Sequence, residues 1–145
     1  MKKLASLMFA TGLLALVMAC DTSDSTTSPD IAIEDPTGAW ALQSFQLDDG
    51  SIIPVPDPSS YTLDLGTVDA ERAHIRADCN VCNGGYEISG STIEFGAMGC
   101  TLAACQPGSL ERDYLFALGS TSMYQRSGDT LTLTYDDGVL RFHAR

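Results

Sequence analysis

The chain has 145 residues and is strongly acidic, with eight basic residues, 19 acidic residues and a formal net charge of −11. This charge argues against nucleic-acid binding, which requires a basic surface, and against broad contact with anionic lipid headgroups. The length suits one domain with a modest hydrophobic core.

The N terminus has the parts of a secretory signal peptide. Lys2 and Lys3 precede an apolar run that is shorter than the roughly 20 residues of a membrane span. The run ends in Leu16-Val17-Met18-Ala19-Cys20, which resembles the lipobox of bacterial lipoproteins. The resemblance predicts cleavage after residue 19 and a lipid on Cys20. We therefore expect a protein of the bacterial cell envelope, anchored to a membrane and facing the periplasm or the exterior.

The segment after Cys20 is polar. Residues 21–36 are rich in Ser, Thr, Asp and Pro and contain little to bury, which predicts a flexible tether. Removing the signal peptide also removes both lysines, leaving six arginines against 19 acids and a formal charge of −13. The predicted organisation is a signal peptide at 1–19, a lipidated cysteine and tether at 20–36, and a folded domain at 37–145.

From Gly38 onward, apolar and polar residues alternate in the pattern typical of β-strands. Asp48-Asp49-Gly50 predicts a turn, and the proline-rich stretch from Ser51 to Ser60 predicts an extended loop or an edge segment. A hairpin is predicted around Ser89–Thr92. The predicted strands are Trp40–Leu47, Tyr61–Leu65, His74–Cys79, Tyr86–Ile88, Ile93–Phe95, Ser122–Arg126, Thr130–Tyr135 and Val139–His143.

One helix interrupts the strands, from Leu110 to Leu118, with Ser109 as its N-cap and Gly119 as its stop. Its apolar face comprises Leu110, Tyr114, Ala117 and Leu118. Because strands and helices do not alternate, a parallel sheet is not expected. The pattern predicts a mainly-β (α+β) fold, with a small antiparallel sheet and one packed α-helix.

Five cysteines are present, and lipidation of Cys20 would leave four: Cys79, Cys82, Cys100 and Cys105. Export to an oxidising compartment favours two disulfides over free thiols. A hairpin turning at Gly90–Ser91 would bring Cys82 near Cys100 and Cys79 near Cys105, so we prefer this nested pairing among the three possible. Two alternatives remain: the four thiolates could bind zinc, or Cys79-x2-Cys82 could have a redox role.

Several short motifs together resemble the META domain, the family that includes the HslJ-type heat-shock lipoproteins. They are Gly38-Ala39-Trp40-Ala41-Leu42, Cys79-Asn80 followed by Gly84-Gly85-Tyr86, Thr101-Leu102-Ala103-Ala104-Cys105, Leu131-Thr132-Leu133 and Leu140-Arg141-Phe142. Ala103 stands where the family usually has Met, and Cys82 and Cys100 are additional to the simplest form of the pattern. The resemblance implies a small antiparallel domain, roughly an incomplete barrel, with the helix packed on it. The family is tied to envelope stress and drug tolerance, and no catalytic residues transfer from it.

The leading functional hypothesis is a lipid-anchored, non-enzymatic envelope module with a binding or stress-protective role. Its expected partners are the membrane, through the lipid on Cys20, and an envelope protein or small molecule. We expect no cofactor, no metal site and no catalytic residue. The loop from Ile52 to Pro58 is a possible partner surface, although a plain sheet-edge connection is the favoured interpretation.

Other polar residues have mostly structural interpretations. Asn80, Asn83, Gly84 and Gly85 are expected to form turns, Tyr86 is expected in the core, and His74 and His143 are expected to be exposed. A third hypothesis, a hydrolase acting on envelope polymers, would use paired acids such as Asp64, Asp78 and Glu87. Such pairs arise by chance in a chain this acidic.

Overall fold

A computed structural model describes residues 33–145. The predicted signal peptide, Cys20 and most of the predicted tether lie outside these residues. The described part contains one α-helix, α1 (Glu111–Gly119), a 3-10 turn at Pro58–Ser60, and nine strands. The strands are β1 (Gly38–Leu47), β2 (Ile52–Pro54), β3 (Tyr61–Leu65), β4 (Arg72–Ala77), β5 (Asn80–Ser89), β6 (Thr92–Cys100), β7 (Met123–Ser127), β8 (Thr130–Tyr135) and β9 (Gly138–Ala144). No helix in this part is both long enough and apolar enough to cross a bilayer.

Eight of the strands form a closed antiparallel barrel. Neighbours follow the order β1, β3, β4, β5, β6, β7, β8, β9, and β9 pairs back onto β1. The short β2 pairs with β1 beyond the end of β3. The predicted mainly-β fold with one helix is confirmed. The barrel closes where an incomplete one was expected, but β6 and β7 are joined at a single register position, Thr92 opposite Met123.

The core is built from the inward-facing residues that the alternating pattern predicts. Side chains such as Leu63, Ile75 and Leu133 are fully buried. The helix adds Tyr114, which is also fully buried and whose ring lies 6.2 Å from that of Phe142. The helix and the sheet therefore share one core.

The helix forms largely as its sequence predicts. It begins at Glu111, one residue later than expected, so that Leu110 and not the predicted Ser109 occupies the N-cap position, without a side-chain capping bond. Ser109 Oγ still accepts a hydrogen bond from the Glu111 N–H at 3.2 Å. Tyr114, Ala117 and Leu118 are its buried residues, which confirms the predicted face.

The stretch around Cys79 differs from the prediction. Cys79 was expected inside a strand, but it lies in the turn between β4 and β5, next to Asp78, whose φ is 56°. The expected turn formers, from Asn80 to Gly85, lie instead in β5. The prediction was wrong because the buried amide of Asn80 has partners outside its own turn, and because the register shift after Gly84 gives the glycines a place within the strand.

The last part of the predicted tether contacts the barrel. Arg126 Nη1 donates to the backbone oxygens of Asp35 at 2.7 Å and Thr37 at 3.0 Å, and its guanidinium lies 5.1 Å from the centroid of the Trp40 ring. Glu34 accepts a hydrogen bond from the Gly128 N–H at 3.0 Å. The chain therefore already contacts the barrel at Glu34 and Asp35.

Candidate functional site

The four cysteines of the domain form two disulfides. Cys79 is bonded to Cys105, with Cα atoms 5.4 Å apart, and Cys82 is bonded to Cys100, with Cα atoms 4.1 Å apart. This is the nested pairing. In the chain-entropy model, each disulfide contributes about 3 kcal/mol to stability, because the loop that it closes restricts the unfolded chain. None of the four cysteines keeps a free thiol for zinc or for dithiol exchange, and no group of three or more potential ligands occurs among residues 33–145.

Between the disulfides, Asn80 fastens the segment that carries the Thr101–Cys105 motif. Its Oδ1 accepts hydrogen bonds from the Ala103 N–H at 2.8 Å and from Thr101 Oγ1 at 3.0 Å. Its Nδ2 donates to the Ala103 oxygen at 3.1 Å and to Glu111 Oε1 at 3.2 Å. The side chain is buried and its hydrogen-bonding groups are occupied, so these motifs build a structural clamp that offers no free group to a ligand.

The acids named in the hydrolase hypothesis lie apart. Asp64, on the outer face of β3, accepts hydrogen bonds from Arg145 at 2.8 Å and from Thr67 Oγ1 at 2.9 Å. Asp78 lies in the turn after β4, and Glu87 lies in the far half of β5. The fold does not assemble these three into one catalytic group.

The two histidines are also separate from each other. His143 is exposed on β9, as expected. His74, on the outer side of β4, is only half exposed, and its Nε2 is buried without a hydrogen-bond partner in the described part of the chain. Its register neighbours are Asp64 on β3 and Asn83 on β5. The register neighbour of His143 on β8 is Thr130.

A cleft of about 620 Å³ lies where β5 is bulged. Tyr86 and Phe95 form part of it, and Glu71, Glu87 and Glu94 bring carboxylates to it. Tyr86 packs partly against the core, close to its expected place, and its hydroxyl donates to the Ala70 oxygen at 3.2 Å. Burial, with smaller effects from Asp35 and Asp69, raises the pKa of Tyr86. The three glutamates of this cleft are exposed to solvent.

A second, more apolar groove of about 280 Å³ lies between β2 and α1. We call it the β2–α1 groove. Phe45, Leu47, Ile53 and Tyr135 line its sheet side, and Leu110, Asp113 and Phe116 line its helix side, with Asp137 completing the wall. Ile53 is 40% exposed and Phe116 is 56% exposed. Adjacent exposed apolar side chains in a concave surface are typical of a binding site.

Three aspartates influence the same residue of the groove, Tyr135. Burial and the charges of Asp137, Asp48 and Asp113, in decreasing order, raise the pKa of Tyr135. The three carboxylates therefore act on one aromatic side chain, although they come from two turns of the sheet and from the helix.

The groove was not predicted from the sequence, where the Ile52–Pro58 loop is a possible partner surface and a plain sheet-edge connection is favoured. The proposed partner loop, Ile52–Pro58, supplies Ile53, but its remaining residues do not line the groove. Phe116 was missed because it lies off the buried face of α1. A large apolar residue on the solvent side of an amphipathic helix is the signal that could have identified it.

Comparison with known proteins agrees with this architecture. The model of the META domain family matches residues 32–145. A solution structure of a protein from Burkholderia xenovorans is 28% identical, with a TM-score of 0.62 over 74% of this chain and 81% of that one. A DUF4847 family protein from Bacteroides vulgatus, 13% identical, shares the fold with a TM-score of 0.53 over 75% of this chain and 93% of that one. A search of curated proteins finds no match.

Proposed function

The chain belongs to the META domain family, and we propose that it is a lipid-anchored, non-enzymatic binding module of the bacterial cell envelope with a stress-protective role. The observation that carries the proposal is the state of the cysteines. Four of the five are consumed by two disulfides, and the fifth, Cys20, ends the lipobox-like sequence. Structural disulfides form and persist in oxidising compartments, so the two disulfides support the proposed location in the envelope.

The non-enzymatic part of the proposal rests on how the polar residues are used. The clamp around Asn80 and the disulfides stabilises the fold, while Asp64 pairs with Arg145. The feature best suited to function is instead the β2–α1 groove, where apolar side chains remain exposed beside carboxylates. Such a surface suits binding without chemical conversion.

Lipid anchoring is tested by expressing the full chain in a bacterium supplied with a labelled fatty acid. We expect the label on the wild-type protein and recovery in the membrane fraction. The Cys20→Ser variant should lose both the label and processing at residue 19. Asp21→Asn, a neighbouring change that leaves the thiol in place, is the control and should retain the label. A wild-type protein without label, or a Cys20→Ser variant that stays labelled, contradicts the anchor.

A further inference from the structure

We propose that the β2–α1 groove binds an apolar side chain of a cationic peptide segment in solution. The inference rests on the binding role proposed above and names the class of partner. It is argued from the size of the groove, its exposed apolar surface, its charge and its position in the fold.

The size of the groove suits a side-chain anchor. Its volume of about 280 Å³ lies below the roughly 300–1,000 Å³ typical of pockets that enclose a whole small-molecule ligand. Its walls are nevertheless strongly apolar, since Phe45, Leu47 and Tyr135 form its sheet side. A single aromatic or branched aliphatic side chain can insert between the sheet and α1, with the rest of its chain remaining outside.

The exposed apolar surface gives binding a driving force. Phe116 and Ile53 face solvent from opposite walls, and an inserted side chain would remove parts of both from water. The aromatic ring of Phe116 offers a large contact area at low conformational cost, as aromatic anchors do in protein interfaces.

Charge selects the partner. Asp113 and Asp137 lie in the walls of the groove, and no lysine or arginine lines it among residues 33–145. A segment with basic residues next to its apolar anchor would match this charge, whereas an anionic lipid surface or a second copy of this acidic chain would be repelled.

The position of the groove leaves it open to a soluble partner. The chain enters the barrel at Gly38, whereas Leu47, which lines the groove, is at the other end of β1. The ten residues of this strand span about 30 Å, which separates the groove from the point of entry. The free edge of β2 is a weak template for strand addition, because the strand has three residues and Pro54 has no N–H to donate. Insertion of a side chain, rather than extension of the sheet, is therefore the expected mode.

The test uses the full-length lipidated protein in neutral detergent and a fluorescent, end-capped pentapeptide in which lysines flank a central phenylalanine. Binding is followed by anisotropy at low and high salt. We expect binding that weakens about tenfold when serine replaces the peptide's phenylalanine, and that is abolished when glutamates replace its lysines. Equal binding of the serine peptide would mean attraction to the acidic surface alone and would overturn the proposal.

Matched variants locate the site. Phe116→Ser should weaken binding about tenfold, whereas Val68→Ser, which changes a side chain that is 75% exposed outside the groove, should leave it unchanged. Asp137→Asn should weaken binding and reduce its salt dependence more than Asp129→Asn, because both acids lie in turns between strands but only Asp137 lines the groove. Equal effects within either pair would contradict the assignment.

A self-association control tests the remaining possible occupant of the groove, which is a second copy of the chain. If the unliganded wild-type protein sediments as a dimer that Phe116→Ser dissociates, a second copy fills the groove and the proposal is wrong. A protein that carries the fatty-acid label but binds no peptide overturns this inference and leaves the proposed lipid anchor intact. A protein that binds the peptide as expected but carries no fatty-acid label contradicts the lipid anchor and leaves the groove assignment standing.

Discussion

The rings of Tyr61 and Tyr114 meet edge to face with centroids 5.9 Å apart, but their hydroxyl groups have opposite roles. Tyr61 Oη accepts a hydrogen bond from the Leu110 N–H at 2.9 Å, which ties β3 to the start of α1. Tyr114 Oη is buried and has no hydrogen-bond partner among the described residues. One hydroxyl therefore stabilises the junction of sheet and helix, while the other is a cost of filling the core.

Removing each hydroxyl separates these roles. Tyr61→Phe should lower the free energy of unfolding by about 1 kcal/mol, because the Leu110 N–H loses its acceptor. Tyr114→Phe keeps the ring and should leave stability unchanged or raise it by up to about 1 kcal/mol. Urea unfolding of both variants measures the difference. A Tyr114→Phe variant that is the less stable of the two would show that its hydroxyl has a stabilising partner.

Stability should fall at alkaline pH through Tyr114. Burial raises the pKa of its hydroxyl well above the usual value of about 10. Because the folded protein favours the neutral phenol, this contribution is complete below the unfolded pKa and is lost as the pH rises above it. Ultraviolet titration should show Tyr114 ionising only together with unfolding. Tyr114→Phe should lack that step, and ionisation of all five tyrosines in the native state would contradict the burial.

Asn80 should matter for stability more than its neighbour Asn83. In Asn80→Ala the Ala103 N–H loses its acceptor inside the clamp, so we expect a loss of about 2 kcal/mol. Asn83→Ala is the control, because its half-buried side chain makes no hydrogen bond within the described part. Its effect should stay within about 0.5 kcal/mol. Thermal unfolding with both disulfides intact compares them, and equal losses would show that the clamp adds nothing.

Gly138 should tolerate no side chain. Its φ is +150°, and a Cβ there would overlap the backbone oxygen of Gln46, where β9 meets β1. Gly138→Ala should therefore lower the free energy of unfolding by about 3 kcal/mol or more, because the overlap with backbone adds to the strain of the positive φ. Gly90→Ala is the matched control, because its φ of +58° is also unfavourable for alanine but nothing lies within 4 Å of the added Cβ. Its expected cost is about 1–2 kcal/mol. Similar values for the two would contradict the close approach.

Much of the fold follows from local patterns. Leu131 and Leu133 alternate with polar threonines, and the predicted bounds of β8 coincide with the observed ones. Closure of the barrel did not follow, because the contact between β1 and β9 joins residues about a hundred positions apart. Nor did the role of Asn80, whose partners come from a distant loop and from α1.

The groove shows the same limit. Its lining combines β1, β2, β8 and α1, so no single sequence window contains it. The disulfide between Cys82 and Cys100 could be predicted although the two residues are distant in sequence, because counting residues back from the hairpin turn places them opposite each other. Local sequence patterns therefore predict the strands and the disulfides better than they predict the groove.

The most direct test of the central claim is the intact mass of the full-chain product extracted from bacterial membranes without reductant, before and after thiol alkylation. An envelope lipoprotein with two disulfides should begin at Cys20, carry the mass of its lipid, and gain nothing on alkylation. A product that still contains residues 1–19, carries no lipid, or gains alkyl groups at Cys79, Cys82, Cys100 or Cys105 would contradict the account.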